Sequence, residues 1–153
     1  MSATENQTDL RLTHRFEAPR DRVFDAWTNP EVLRRWFAPG PGWDVPVADV
    51  DLRPGGRYRF VMQEPGGGAK RAASGEYTEV TPPERIACTW AWEGTDGTPL
   101  GGESFVVVEF AESNGGTEVV LTHSGLANEE SRDSHNHGWE GIFSSLEAHL
   151  SRA

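Results

Sequence analysis

The chain has 153 residues and a formal net charge of −10. Its length suits one domain of the usual ~100–200 residues, and its acidity argues against nucleic acid or an anionic membrane as partner, since Lys and Arg must neutralise phosphates there. A single cysteine, Cys88, excludes an intramolecular disulfide, and the absence of a signal-peptide pattern or a bilayer-length apolar run makes the cytoplasm the expected location.

Residues 1–8 are polar and read as a frayed tail, leaving 9–151 as the expected domain. Leu10, Leu12, His14 and Phe16 alternate with Arg11, Thr13, Arg15 and Glu17, which marks a first strand. Ala18-Pro19 ends it, and a short helix follows with Val23, Phe24 and Trp27 on one side. Thr28-Asn29-Pro30 breaks that helix. Thr28 or Asn29 caps a second one, whose buried side is Val32, Leu33, Trp36 and Phe37. Pro39-Gly40-Pro41-Gly42 makes a loop.

From Trp43 onward the chain reads as strands over Asp44–Leu52, Arg57–Gln63, Arg71–Val80, Arg85–Trp92, Glu103–Ala111 and Thr117–His123. Gly- and Pro-rich breaks separate them, the longest from Gly94 to Gly102. Short links favour antiparallel neighbours. The last stretch, Glu129 to Leu150, places Trp139, Ile142, Phe143, Leu146 and Leu150 on one helical stripe about 30 Å long; Gly138 and Gly141 weaken it slightly. The fold class is therefore α+β: a seven-stranded antiparallel sheet, two short helices after the first strand, and a long C-terminal helix.

Alternation sorts each strand into two faces. Tyr58, Phe60 and Met62 share one, Trp90 and Trp92 another, and Gly75 lies beside Tyr77. Phe105 shares a face with Val107, against Val106, Val108 and Phe110. Val119, Leu121 and His123 form an inner set. A twisted sheet curves, so one helix need not fill its concave side.

Several segments resemble a known family. They are Val23-Phe24-Asp25-Ala26-Trp27-Thr28-Asn29-Pro30-Glu31-Val32-Leu33-Arg34-Arg35-Trp36-Phe37, Asp51-Leu52-Arg53-Pro54-Gly55-Gly56-Arg57-Tyr58, Gly75-Glu76-Tyr77, Pro82-Pro83-Glu84-Arg85-Ile86, Leu121-Thr122-His123 and Gly138-Trp139. In this order they resemble the activator of heat shock protein 90 ATPase homologue domain, of the START-like helix-grip superfamily. The resemblance spans about Leu10 to Leu150. It implies a sheet wrapped around the C-terminal helix with an apolar cavity between them. Lipid carriers, hormone receptors, polyketide cyclases and chaperone activators share that superfamily, so the fold leaves function open.

The leading expectation is a binding module for a hydrophobic or aromatic small molecule. Tyr58, Phe60, Met62, Trp90, Trp92, Phe105, Trp139 and Phe143 are the candidate lining, with Trp36 and Phe37 closing one end and Tyr77, His123 and His135 orienting polar atoms. The alternative is that these rings simply pack as core, the usual fate of an aromatic stripe. A second reading is a co-chaperone-like regulator of a heat shock protein 90 type ATPase, acting through its exterior. A third is a cyclase- or aromatase-like enzyme, which needs a buried acid–base pair such as Glu103 or Glu109.

No catalytic residue, cofactor or metal is expected. His123, His135, His137 and His149 match no zinc spacing. Cys88 reads as a small core residue. Gly66-Gly67-Gly68 is a hairpin turn and no phosphate loop. An open sheet edge allows a homodimer.

Overall fold

Alternating apolar residues make each strand one-sided, and seven one-sided strands can bury that side only by sharing it. The structure, a computed structural model, describes residues 9–93, 99–126 and 128–151, with the backbone alone over 99–102. The segment 1–8, expected as a tail, lies outside the described residues. The elements are β1 (Leu10–Phe16), α1 (Arg20–Thr28), α2 (Pro30–Trp36), β2 (Asp44–Val50), β3 (Arg57–Gln63), β4 (Lys70–Thr81), β5 (Arg85–Glu93), β6 (Pro99–Ser113), β7 (Gly116–Ser124) and α3 (Glu129–Leu150). The strands form one curled seven-stranded sheet in the order β1-β7-β6-β5-β4-β3-β2, antiparallel throughout. The helix α3 lies across its inner face, while α1 and α2 close one end against β2, β6 and β7.

This is the α+β architecture expected, with adjusted boundaries. β2 stops at Val50 because Asp51 turns back, its N–H donating to Arg57 O at 3.0 Å and its carbonyl accepting from Arg53. β6 starts at Pro99 and not at Glu103, since Pro99 and Leu100 pair with Glu93 and Trp92 beyond an irregularity in the ladder. Residues 94–98, part of the expected break, lie outside the described residues. Pro46 sits in β2, an edge strand, where a missing ladder donor is tolerated.

Both later helices begin as their sequences dictate. Asn29 Oδ1 accepts from the Glu31 N–H at 3.0 Å, with Pro30 in the first turn. Asn128 Oδ1 accepts from the Ser131 N–H at 2.8 Å, with Glu129 and Glu130 beside the positive end of the helix dipole. Thr28, the other candidate cap, instead donates back to Phe24 O at 2.9 Å.

The stripe Trp139, Ile142, Phe143, Leu146 and Leu150 is buried, no member more than 8% exposed. Full burial of each such side chain contributes roughly 1.5–3 kcal/mol. Gly141 has a specific reason: a Cβ there would meet Pro39 O at 2.0 Å, so only glycine lets the 38–40 loop lie against α3. Ser145 Oγ donates to Ala38 O at 2.8 Å and fixes the same contact. Gly138 is the opposite case: a Cβ there would meet nothing within 4 Å.

Two single changes on one helix should therefore move stability in opposite directions. Gly138→Ala gains roughly 1 kcal/mol from helix propensity alone. Gly141→Ala gains the same propensity but loses more to overpacking, typically about 1–3 kcal/mol. Urea unfolding measures both, and equal shifts of the same sign would refute the Gly141 contact.

Candidate functional site

Rings fill the space under the second half of α3. Phe37 and Phe60 lie 4.7 Å apart, Tyr58 and Phe60 5.0 Å, and Phe16 and Phe143 5.9 Å. Trp27 of α1 is the hub of this packing: it meets Trp36, Phe37, Phe110, Trp139 and Phe143 within 6.4 Å. The interior here is a core of buried rings in contact.

Under the first half of α3 the packing opens into a groove of about 840 Å³. Met62 of β3 and Trp90 and Trp92 of β5 form its sheet side, while Ser134, His135, His137, Gly138, Trp139 and Ile142 of α3 form the other. Pro39 and Trp43, from the loop that Gly141 admits, close one end, and Ala69 to Ala72 with Glu93 form the other rim. Gly138 leaves room on the helix where a side chain would project.

Of the residues expected to line a cavity, Met62, Trp90, Trp92, His135 and Trp139 border this groove, Met62, Trp90 and Trp139 from buried positions at most 4% exposed. Trp36, Phe37, Tyr58, Phe60, Tyr77, His123 and Phe143 are buried in the packed region instead. Phe105 must be corrected outright. It stands on the outer face of β6, 49% exposed, because Ser104, Val106, Val108 and Phe110 take the inner positions. Trp43, Ile142 and Pro39 were not anticipated; Ile142 was legible as one helical turn beyond Trp139, but the path of the Pro/Gly loop was not.

Two histidines pin the walls. His123 is fully buried, 0% exposed. Its Nδ1 accepts from Trp139 Nε1 at 3.0 Å, and its Nε2 lies 2.7 Å from Ser104 Oγ. Ser104 Oγ already donates to Trp90 O at 3.1 Å, so it accepts from Nε2–H and the ring is the neutral Nε2–H tautomer. Burial, reinforced by His135, lowers the His123 pKa to about 3. His135 accepts from Trp92 Nε1 at 2.9 Å and its Nδ1 is 2.7 Å from Ser131 O, which assigns the Nδ1–H tautomer. The rings lie 4.9 Å apart. Both nitrogens of each are engaged, so these histidines orient Trp92 and Trp139 instead of offering a free polar group. Trp90 Nε1 is buried and, among the described residues, has no hydrogen-bond partner.

The remaining chemistry lies elsewhere. Glu103 is exposed, and Glu109 pairs with Arg85 at 2.9 Å on the outer face, so neither sits beside the aromatics. Cys88 Sγ is 3.8 Å from Tyr58 OH, and burial pushes its thiol up to about 12. Tyr58 and Tyr77 are likewise raised, by burial first. Among the described residues no cluster of three or more His, Cys, Asp or Glu could hold a metal ion, and no helix is long and apolar enough to cross a membrane.

A sheet curled about a C-terminal helix, with a groove between them, defines the START-like, helix-grip class of protein. Within it, the family model described as "Activator of Hsp90 ATPase homolog 1-like protein" matches residues 17–151, and the chain belongs to that family. It is similar to the AHSA1 protein of Silicibacter pomeroyi, with 31% identity, 94% of this chain and 97% of that one covered, and a TM-score of 0.82. A protein of Nitrosomonas europaea is 30% identical over 97% of each chain, with a TM-score of 0.78. One from Chromobacterium violaceum is 26% identical over 97% of this chain and 100% of its own, with a TM-score of 0.83. No curated protein matches the chain.

The His123 arrangement sets a pH dependence. An unfolded His binds a proton below pH ~6.5, whereas the folded one stays neutral until about pH 3. The contribution is thus complete above ~6.5 and is lost as pH falls, by about 1.4 kcal/mol per pH unit. His123→Gln, which can still accept from Trp139 and donate to Ser104, should flatten the slope of unfolding free energy between pH 6.5 and 5. Identical slopes for the two proteins would contradict a neutral, buried His123.

Proposed function

We propose that this protein binds a hydrophobic or aromatic small molecule in the groove between α3 and strands β3 to β5. The observation that carries this reading is the groove itself: about 840 Å³, bordered by Trp43, Trp90, Trp92 and Trp139 together with Met62 and Ile142. Ligand sites commonly run ~300–1,000 Å³ with mostly apolar and aromatic walls. The walls are held in place before any ligand arrives, since His135 orients Trp92 and His123 orients Trp139. Less ordering free energy is then lost on binding.

The family's description supplies a second reading, regulation of an Hsp90-type ATPase. Such a role would use the exterior, where Phe105 and Leu52 are the exposed large hydrophobic side chains among the described residues. The ATPase rate of the chaperone, with and without this protein and its Phe105→Ala variant, separates the two readings. A cyclase-like reading draws no support from Glu103 or Glu109, which are both away from the groove.

The direct test fills the groove from the helix side. Gly138→Leu starts a side chain where a Cβ meets nothing within 4 Å and so projects it toward the groove. Thermal shift with a panel of apolar and aromatic compounds should raise the melting temperature of the native protein. The same compounds should leave the stable Gly138→Leu protein unmoved. A panel that binds neither protein, or both equally, would overturn the assignment.

A further inference from the structure

The charged residues that border the groove are Lys70, Arg71 and Glu93, with His135 and His137 on the helix side. Their charges are not equally available. Glu93 is committed to Arg59, whose Nε lies 3.0 Å from both carboxylate oxygens and whose Nη2 lies 3.0 Å from Oε1. That guanidinium holds the Glu93 carboxyl below the usual carboxylate range, and the side chain is only 8% exposed. Arg71 makes one long contact with Glu64, 3.4 Å, between a mostly exposed guanidinium and a partly exposed carboxylate, a pair that attracts weakly. The Lys70 side chain makes no hydrogen bond or ion pair among the described residues, its backbone pairing with Gln63 in the ladder. One rim of a mostly apolar groove therefore carries two cations against the single carboxylate of Glu64, in a chain whose formal net charge is −10.

The placement is geometric as well as electrostatic. Arg71 pairs with Met62 across the β3–β4 ladder, so both belong to the inner face, while Lys70 pairs with Gln63 on the alternate face, at the edge where the hairpin turns. Arg71 thus stands at the mouth with Lys70 beside it at the end of β4, while Met62, Trp90 and Trp92 line the floor. A cation beside a partly dehydrated wall interacts more strongly with an anion than one in open water.

We infer that the ligand is an organic anion, with an aromatic or aliphatic body against Trp90, Trp92 and Trp139 and a carboxylate or similar head group at Lys70 and Arg71. This rests on the groove being the ligand site and adds the charge and orientation of its occupant. A neutral molecule leaves the rim cations solvated and gains only from burial. An organic cation meets Lys70 and Arg71 unfavourably, with Glu93 already taken.

Matched probes test it. One series is decanoate, decanol and decylammonium; the other is 2-naphthoate, 2-naphthalenemethanol and 2-naphthylmethylammonium. Titration calorimetry on the native protein should give, within at least one series, an anion bound roughly tenfold tighter than its alcohol and an ammonium bound weakest. The preference should shrink at high salt, as expected for rim charges open to screening. The Lys70→Gln, Arg71→Gln double variant should bind the anion no tighter than the alcohol. Gly138→Leu should weaken every member of the series, placing the site in the groove.

An alcohol that binds as tightly as its anion, or an anion preference that survives in the double variant, would overturn the head-group assignment and leave the groove as an apolar site. Anion binding that persists in Gly138→Leu would place it elsewhere and overturn it too. If no member of either series binds, the groove fails as a ligand site and this inference fails with it.

Discussion

One helix cannot cover a seven-stranded curled sheet, and that mismatch governs the rest of the molecule. The helix α3 carries 22 residues but a single apolar stripe. The sheet presents far more inner surface than the stripe can meet. At one end the deficit is made up by α1 and α2, which insert Trp27, Trp36 and Phe37 between sheet and helix. At the other end no element plays that part among the described residues, and the groove opens beside Met62, Trp90 and Trp92, where Trp90 still packs on Trp139 at 5.1 Å and Trp92 bonds His135. The groove is the place where helical cover runs out.

Aromatic walls beside a groove invite collapse, because apolar surfaces gain by closing on each other. Three contacts oppose this. Gly141 and Ser145 hold the 38–40 loop against α3, which fixes the position of Trp43's neighbours Pro39 and Gly40. Trp139 is tied by its N–H to His123 on the sheet, and Trp92 by its N–H to His135 on the helix. Each bond crosses between sheet and helix, and they run in opposite senses. A buried hydrogen bond is directional where apolar contact is not, and an indole left without its partner costs about 1–3 kcal/mol. The polar pair therefore sets the spacing that the apolar groups alone leave loose.

Local pattern made the architecture legible. Period-2 runs with Gly and Pro breaks marked the strands, and the i, i+3, i+4 stripe marked α3 over the residues it occupies. The parity of Val106, Val108 and Phe110 already put Phe105 on the other face; grouping it with the aromatic lining overrode that signal. The start of β6 was missed because Gly101 and Gly102 read as a break, whereas Pro99 and Leu100 continue the ladder with β5. The position of the groove could not be read from period alone. It depends on how far α1 and α2 reach, on Trp43 arriving from a Pro/Gly loop, and on two glycines with opposite roles. Gly138 and Gly141 look alike as weak helix formers; only their neighbours in space make one a gap and the other a contact.

The six tryptophans divide between the two regions: Trp43, Trp90, Trp92 and Trp139 border the groove, while Trp27 and Trp36 lie in the closed end. Each gives one indole N–H resonance in a nitrogen–proton correlation spectrum, so a titration with a single apolar probe reports on both regions at once. An open site under the first half of α3 requires shifts at the four groove tryptophans with Trp27 and Trp36 still. Shifts confined to Trp27 and Trp36, or none at any of the six while the probe binds, would contradict it.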